Sequence, residues 1–261
     1  MFTLDDDMVM FAGDWHGSYD QAARACMAAS YKHVRTIIQL GDFGMWPGRS
    51  GQTFLNRLNE LLVRKGQQVV FVDGNHEDFP QLYSYPVDKD GLRYVRSNII
   101  HLERGTIFSW KSLNLLAMGG AYSVDKDDRV VGATYWLEEQ ITDADVKKAL
   151  KAAGGVKIDV LVSHDSPASA PNRITDTPEI QREAAQFFGY HNIQQSYLHR
   201  EQLDKVFKAV KPTLVIHGHY HDFFNYNTKY GKVVCLDEGR STLKRHIMFL
   251  TPEDLVSWKR S

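Results

Sequence analysis

Three apolar runs near the start of the chain, MVMFAG (8–13), VRTIIQLG (34–41) and QVVFVDG (68–74), constrain the fold most. A strand with one face in water alternates apolar and polar residues, whereas these runs place apolar residues side by side (VMFA, II, VVFV) and end in glycine. Such a strand is buried on both faces, which requires a largely parallel sheet with covering layers. The segments between them supply a cover. YDQAARACMAAS (19–30) reads as a helix, and so does TFLNRLNELLVRKG (53–66), whose Phe54, Leu55, Leu58, Leu61 and Leu62 fall on one side. The βαβαβ order predicts an α/β protein.

From about residue 92 the pattern changes. LRYV, NIIHL, GTIFSW and SLNLLAMGG are short strands with tight connections, expected as antiparallel neighbours or as a second sheet. A helix follows at 142–155, where Thr142 and Asp145 resemble a capping box with Asp in place of Glu. IDVLVSH (158–164) is a strand. Residues 165–200 begin irregular (DSPASAPNRITDTP) and turn aromatic at FFGYHN (187–192), a group expected to pack rather than to cap a site. A helix near 199–210 leads into the strand TLVI (213–216). NYNTKYGKVVCLDEG and RHIMFLTPED read as further strands. With no repeat or low-complexity tract, one domain over 1–261 with two sheets is the simplest account.

Composition narrows the partners. Hydrophobic content of 43% and charged content of 24% are those of an ordinary globular protein. A net charge of −1 gives no general field for nucleic acid. The two cysteines, Cys26 and Cys235, lie in helical and strand-like runs and read as buried thiols, in keeping with a reducing compartment. MFTLDDDMVMFAGD lacks the basic residues of a signal peptide, and no stretch approaches the ~20 apolar residues of a membrane span. A cytoplasmic location is expected.

Function is legible in where the ionisable residues fall. Asp14 and His16 follow the first strand, Asp42 the second, Asn75 and His76 the third, and His164 follows DVLVS. His217, His219 and His221 close the run VIHGHYH (215–221). Six of the eleven histidines therefore sit at strand ends. A core has no use for so much imidazole, because each buried ring needs a partner, whereas neutral imidazole is the commonest metal ligand. In α/β sheets the ligand crevice lies outside the carboxyl ends of the strands. Taken singly, DWH or GD is an ordinary turn; taken in order, five strand ends converge on one site.

This ordered set, GDWH (13–16), GD (41–42), GNHE (74–77), SHD (163–165) and GHYH (218–221), resembles the calcineurin-like metallophosphoesterase superfamily. The resemblance implies two mixed β-sheets packed face to face and flanked by helices, a four-layer α/β sandwich. It implies one divalent ion held by Asp14, His16, Asp42 and His221, and a second by Asp42, Asn75, His164 and His219, with Asp42 bridging. Mn2+ is the first expectation, with Fe, Zn and Mg also compatible. Only two of these ligands are charged, so two dications leave a positive site suited to phosphate. A hydroxide between the metals would attack phosphorus, and His76 would protonate the leaving oxygen. His217, outside the family motif, is expected to support rather than ligate.

One departure matters. GDFGMWPGR carries Met45 where the phosphoprotein phosphatase branch has an Asp that orients the catalytic His, and no Arg-Gly follows. That argues against a phosphoserine/threonine phosphatase and leaves Glu77 and Asp73 as the sequence neighbours of His76. For substrate, Lys126 or Arg129 is expected to contact a phosphate, and Tyr135 or Trp136 to stack on a base. The leading expectation is a phosphodiesterase of small nucleotide-type esters, cyclic nucleotides included. Alternatives are a broad phosphomonoesterase, a nuclease, a non-catalytic scaffold, and a mononuclear zinc protein built on His217, His219 and His221 alone.

Overall fold

A computed structural model gives the fold, with residues 1–172 and 177–258 described. The strands are β1 (Thr3–Leu4), β2 (Val9–Ala12), β3 (Thr36–Gln39), β4 (Gln68–Phe71), β5 (Leu92–Arg96), β6 (Ile99–Leu102), β7 (Ile107–Trp110), β8 (Leu113–Met118), β9 (Val160–Ser163), β10 (Leu214–His217), β11 (Phe224–Thr228), β12 (Gly231–Cys235) and β13 (Ile247–Leu250). The helices are α1 (Tyr19–Tyr31), α2 (Gly48–Lys65), α3 (Phe79–Ser84), α4 (Asp143–Ala153), α5 (Pro178–Phe188), α6 (Tyr190–Val210), α7 (Leu243–His246) and α8 (Pro252–Trp258).

The strands form two mixed sheets, β13-β2-β3-β4-β6-β5 and β1-β7-β8-β9-β10-β12-β11. The centre of each is parallel, β2-β3-β4-β6 in one and β8-β9-β10-β12 in the other. The continuous apolar runs now have a cause, because alternate residues serve two cores. Val9, Phe11, Ile38 and Val70 join Phe108, Leu115, Val160 and Ile216 in a core shared between the sheets. Met10, Ala12, Ile37 and Val69 turn the other way, onto Ala22, Ala25, Leu55 and Leu58 of α1 and α2. On the far side Leu116, Leu161 and Val215 meet Val146 and Ala149 of α4 and Leu203 and Phe207 of α6. This is the expected four-layer α/β sandwich.

β5–β6 and β7–β8 are the antiparallel neighbours expected after residue 92, the first pair at the edge of the first sheet and the second pair in the second sheet. The elements differ from expectation at three places. Helix α2 begins at Gly48, five residues before the start expected at 53. TPED opens α8 instead of extending β13. Residues 178–210 hold two consecutive helices where only 199–210 was expected, and residues 173–176 of the irregular stretch lie outside the described residues. FFGYHN does not pack in the core: Phe187 is 80% exposed and Tyr190 68%, because α5 buries no residue against a further layer. The capping box holds, with Asp145 N–H donating to Thr142 Oγ1 (3.2 Å) and Thr142 N–H donating to Asp145 Oδ2 (2.8 Å). Cys26 and Cys235 are free and buried. Among the described residues no helix is long and apolar enough to cross a membrane.

Candidate active site

Strands β2, β3 and β4 deliver Asp14, His16, Asp42, Asn75 and His76 from one sheet, and β9 and β10 deliver His164, His219 and His221 from the other. The glycines of GD, GN and GH exist because these loops interlock. A Cβ on Gly74 would lie 2.1 Å from Asp42 Oδ1, and one on Gly218 would lie 2.1 Å from Asp14 Oδ1. These two glycines leave room for the carboxylate of another motif, and Gly41 leaves room for the His164 ring, 2.5 Å from where its Cβ would lie. Four of the delivered residues, His16 (φ 46°), Asp42 (50°), His219 (72°) and His221 (48°), hold left-handed backbone that side-chain-bearing residues seldom adopt. Strain of this kind collects where the surrounding structure over-determines a functional geometry.

Potential ligand atoms of Asp14, His16, Asp42 and His221 all lie within 4.8 Å of one another. His221 Nε2 is 3.2 Å from Asp14 Oδ2 and 3.0 Å from His16 Nε2. In the second expected set, His164 Nε2 is 3.1 Å from Asn75 Oδ1 and 3.4 Å from Asp42 Oδ1. Asp42 Oδ1 also accepts the N–H groups of Asn75 and His76, each at 2.9 Å. Burial acts to raise both carboxyls. The His221 ring bonded to Asp14 nevertheless holds that group below the usual range, and His76, His164 and His16 hold Asp42 well below it. Both are therefore ionised. Burial lowers His219 to about 4, so its ring is a neutral lone-pair donor. Burial also works against the charged form of His164, yet Asp42 and Asp14 push it up to about 10. Its Nδ1 is 2.7 Å from the Leu40 carbonyl, which fixes a proton there and turns Nε2 inward. Mixed carboxylate, amide and imidazole donors around one space fit divalent ions.

His76 stands beside the cluster with its Nε2 3.8 Å from Asp42 Oδ2. Neither sequence neighbour orients it. Glu77 is buried, which pushes its carboxyl up to about 7, and it accepts the N–H groups of Phe43 (2.7 Å) and Met45 (2.9 Å). Asp73 is bonded to Arg104 and His101. The contact of His76 is Arg129, whose Nη2 is 2.9 Å from Nε2. Arg129 is in turn held by Asp125, with Nε and Nη2 donating to Oδ2 at 3.0 and 2.8 Å.

Of the four expected substrate contacts, only Arg129 lines the cleft, a space of about 430 Å³. Lys126 pairs with Asp127 at 2.9 Å and is not part of the cleft wall. Tyr135 and Trp136 are buried away from it, so the expectation that either stacks on a base is corrected. The opposite wall is instead the α5–α6 pair, through Ala184, Phe188, Ile193 and Tyr197. His217 is fully buried, with Nδ1 3.0 Å from the Gly218 carbonyl and its ring edge-on to Tyr220 and Phe224. Burial lowers it to about 4.

Sequence reasoning missed several residues around the site. Ser123 accepts the Asn75 amide, and Tyr220 Oη–H donates to Asp165 Oδ1 at 2.6 Å. His199 Nε2 accepts Ile141 N–H, which leaves the ring proton on Nδ1 for Asp165 at 2.9 Å. Asp165 stood in the quoted SHD motif and Tyr220 in GHYH. Ser123 and His199 carry no local sequence signal.

Comparison with solved structures returns the same architecture at low identity. A dimetal phosphatase from Danio rerio is 14% identical with a TM-score of 0.58, and the match covers 94% of this chain and 92% of that one. The protein TT1561 of Thermus thermophilus is 11% identical with a TM-score of 0.56, covering 94% and 98%. No curated protein sequence matches significantly. The model of the calcineurin-like phosphoesterase family matches residues 8–223, a span containing every strand end described above. That match runs over most of the chain, and the carboxylates and imidazoles meet where a phosphoesterase needs its metals; the chain belongs to the calcineurin-like phosphoesterase family, and it is a metal-dependent hydrolase of phosphoric esters.

Proposed function

We propose that the enzyme is a phosphodiesterase of small nucleotide-type esters, cyclic nucleotides included. One observation carries this reading: a single cleft has Asp42, Asn75, His219, His221 and Arg129 on one side and an apolar and aromatic wall, Phe188, Ile193 and Tyr197, on the other. A diester brings one negative charge and two organic groups, so it needs apolar surface beside the anion site. A cleft of about 430 Å³ suits a ligand of nucleotide size. Asp14, His16, Asp42 and His221 would hold one ion, and Asp42, Asn75, His164 and His219 the other, with Mn2+ the first candidate and Fe, Zn or Mg compatible. Bound there, such ions supply an activated water and offset phosphate charge.

The chain's own groups do the rest. Arg129 lines the cleft, and its Nη1 is buried with no partner among the described residues, so a shift of the side chain toward a phosphate would give that donor an acceptor. Guanidinium only donates, so in the present contact His76 Nε2 is an acceptor. A phosphate that draws Arg129 onto its own oxygens frees Nε2 to carry a proton for the leaving oxygen. His217 remains a supporting residue in this scheme. The deciding assay strips the protein with chelator and reloads it with Mn2+, Mg2+, Zn2+ or Fe2+. Bis(p-nitrophenyl) phosphate, p-nitrophenyl phosphate and cyclic nucleotides are then compared. The diester is expected to turn over faster; preference for the monoester would replace the reading with a phosphomonoesterase, and inactivity with every metal would leave a binding scaffold.

A further inference from the structure

An asparagine that ligates a metal must present its oxygen, yet its two amide ends have nearly the same shape. Something must choose. Asn75 Nδ2 donates to Ser123 Oγ at 2.9 Å, and Ser123 Oγ–H donates to Glu139 Oε2 at 2.9 Å. The other Glu139 oxygen, Oε1, accepts Ser123 N–H at 2.8 Å. All three side chains are buried. Burial pushes the Glu139 carboxyl up to about 8, against the pull of the two Ser123 bonds. Ionised, above that pH, it can only accept, so the serine proton is committed to Glu139 and the serine lone pair faces Asn75. Facing a lone pair, Asn75 must offer its NH2, which leaves Oδ1 toward His164 Nε2. We propose that Glu139 and Ser123 are positioning residues that fix the Asn75 amide with its oxygen toward the metal site.

The relay is anchored at its far end. Arg104, almost wholly buried, donates from Nη2 to the carbonyls of Glu138 (2.8 Å) and Glu139 (3.0 Å) and from Nη1 to that of Gln140 (2.7 Å). Its Nε donates to Asp73 Oδ2 at 2.9 Å. The Asp73 backbone carbonyl accepts Gly120 N–H at 2.8 Å, which tethers the segment leading to Ser123. The polar path leaves the chain at Asp73, passes through Arg104, Glu139 and Ser123, and returns two residues later at Asn75. It therefore sets the amide relative to the strand that carries it.

The proposal rests on the reading of Asn75 as a ligand, and the test separates the two. Metal-free protein is titrated with Mn2+ by calorimetry. Asn75→Ala is expected to weaken one of two sites; if both stay intact, the ligand reading itself fails and the relay has no object. Ser123→Ala is expected to weaken that same site about ten- to a hundredfold, the range for outer partners of metal ligands. Glu139→Gln reverses the polarity, because its NH2 then donates to Ser123 and sends the serine proton toward Asn75; a loss at least as large is expected. Asn75→Asp supplies a side chain with two equivalent oxygens, so in that background Ser123→Ala is expected to change Mn2+ affinity by no more than about twofold. Equal losses from Ser123→Ala in the wild-type and Asn75→Asp backgrounds would mean a general packing role and overturn the proposal. Wild-type affinity in both Ser123→Ala and Glu139→Gln would overturn it as well.

Discussion

The guanidinium of Arg129 is fixed by two bonds to Asp125 Oδ2, and it still keeps Nη1 without a partner among the described residues. Its removal should be felt as a lost charge-assisted bond, worth about 1.5–3 kcal/mol. Arg129→Ala is accordingly expected to lower kcat/KM about ten- to a hundredfold with Mn2+ content unchanged, measured on the loaded enzyme. Lys126→Ala, three residues away but paired to Asp127 outside the cleft, is expected to leave kcat/KM alone. Equal losses from both would mean that the loop as a whole, and not one guanidinium, recognises substrate. His76→Ala should retain Mn2+ and lose about 10²–10⁴ in kcat, as a general acid does; full turnover would remove it from the chemistry.

Between strands, the loops that end β3, β4 and β10 are packed too closely for any side chain at Gly74 or Gly218. Gly218→Ala drives a methyl onto Asp14, which is expected to destabilise the fold by about 1–3 kcal/mol through overpacking and to abolish Mn2+ binding. Denaturant unfolding and metal analysis measure the two losses separately. The α5–α6 pair makes the complementary case. Phe188→Ala and Tyr197→Ala are expected to raise KM for a nucleotide diester while sparing a methyl phosphodiester; equal effects on both would take the wall out of substrate selection. These elements also explain what the sequence made legible. The candidate ligands stood out because their chemistry falls at a fixed offset from apolar runs, as with Asp42 after Ile37, Ile38 and Leu40. The first half of helix α6 did not, because the face it buries there is Asn192, Ser196, His199 and Arg200, whereas Leu203, Val206 and Phe207 mark the second half. Ser123 and Glu139 escaped for another reason: their bonds join residues 48 and 16 apart in sequence, a relation that periodicity does not encode.

Over the whole molecule, the site draws Asp14, His16, Asp42 and Asn75 from one sheet and His164, His219 and His221 from the other. Ions held by both sets of residues would clasp the two halves of the sandwich. A ligand at a hundred times its Kd adds about 2.7 kcal/mol to the folded state. For a chain of this size that corresponds to a fall in Tm on the order of 5–10 °C when chelator removes Mn2+; a Tm indifferent to chelator would mean that the ions bind without bridging the sheets. The left-handed backbone at His16, Asp42, His219 and His221 bears on the same balance. Each such residue costs the folded chain about 1–3 kcal/mol. Without metal that cost has no return, so the stripped protein is under pressure at the positions that make it an enzyme. His221→Gly, at a partly exposed position, is expected to leave the Tm of stripped protein unchanged or higher while removing the gain from Mn2+. Laboratory selection for heat resistance in the presence of chelator would therefore erase the active site first, because there the most stable chain and the working chain are different sequences.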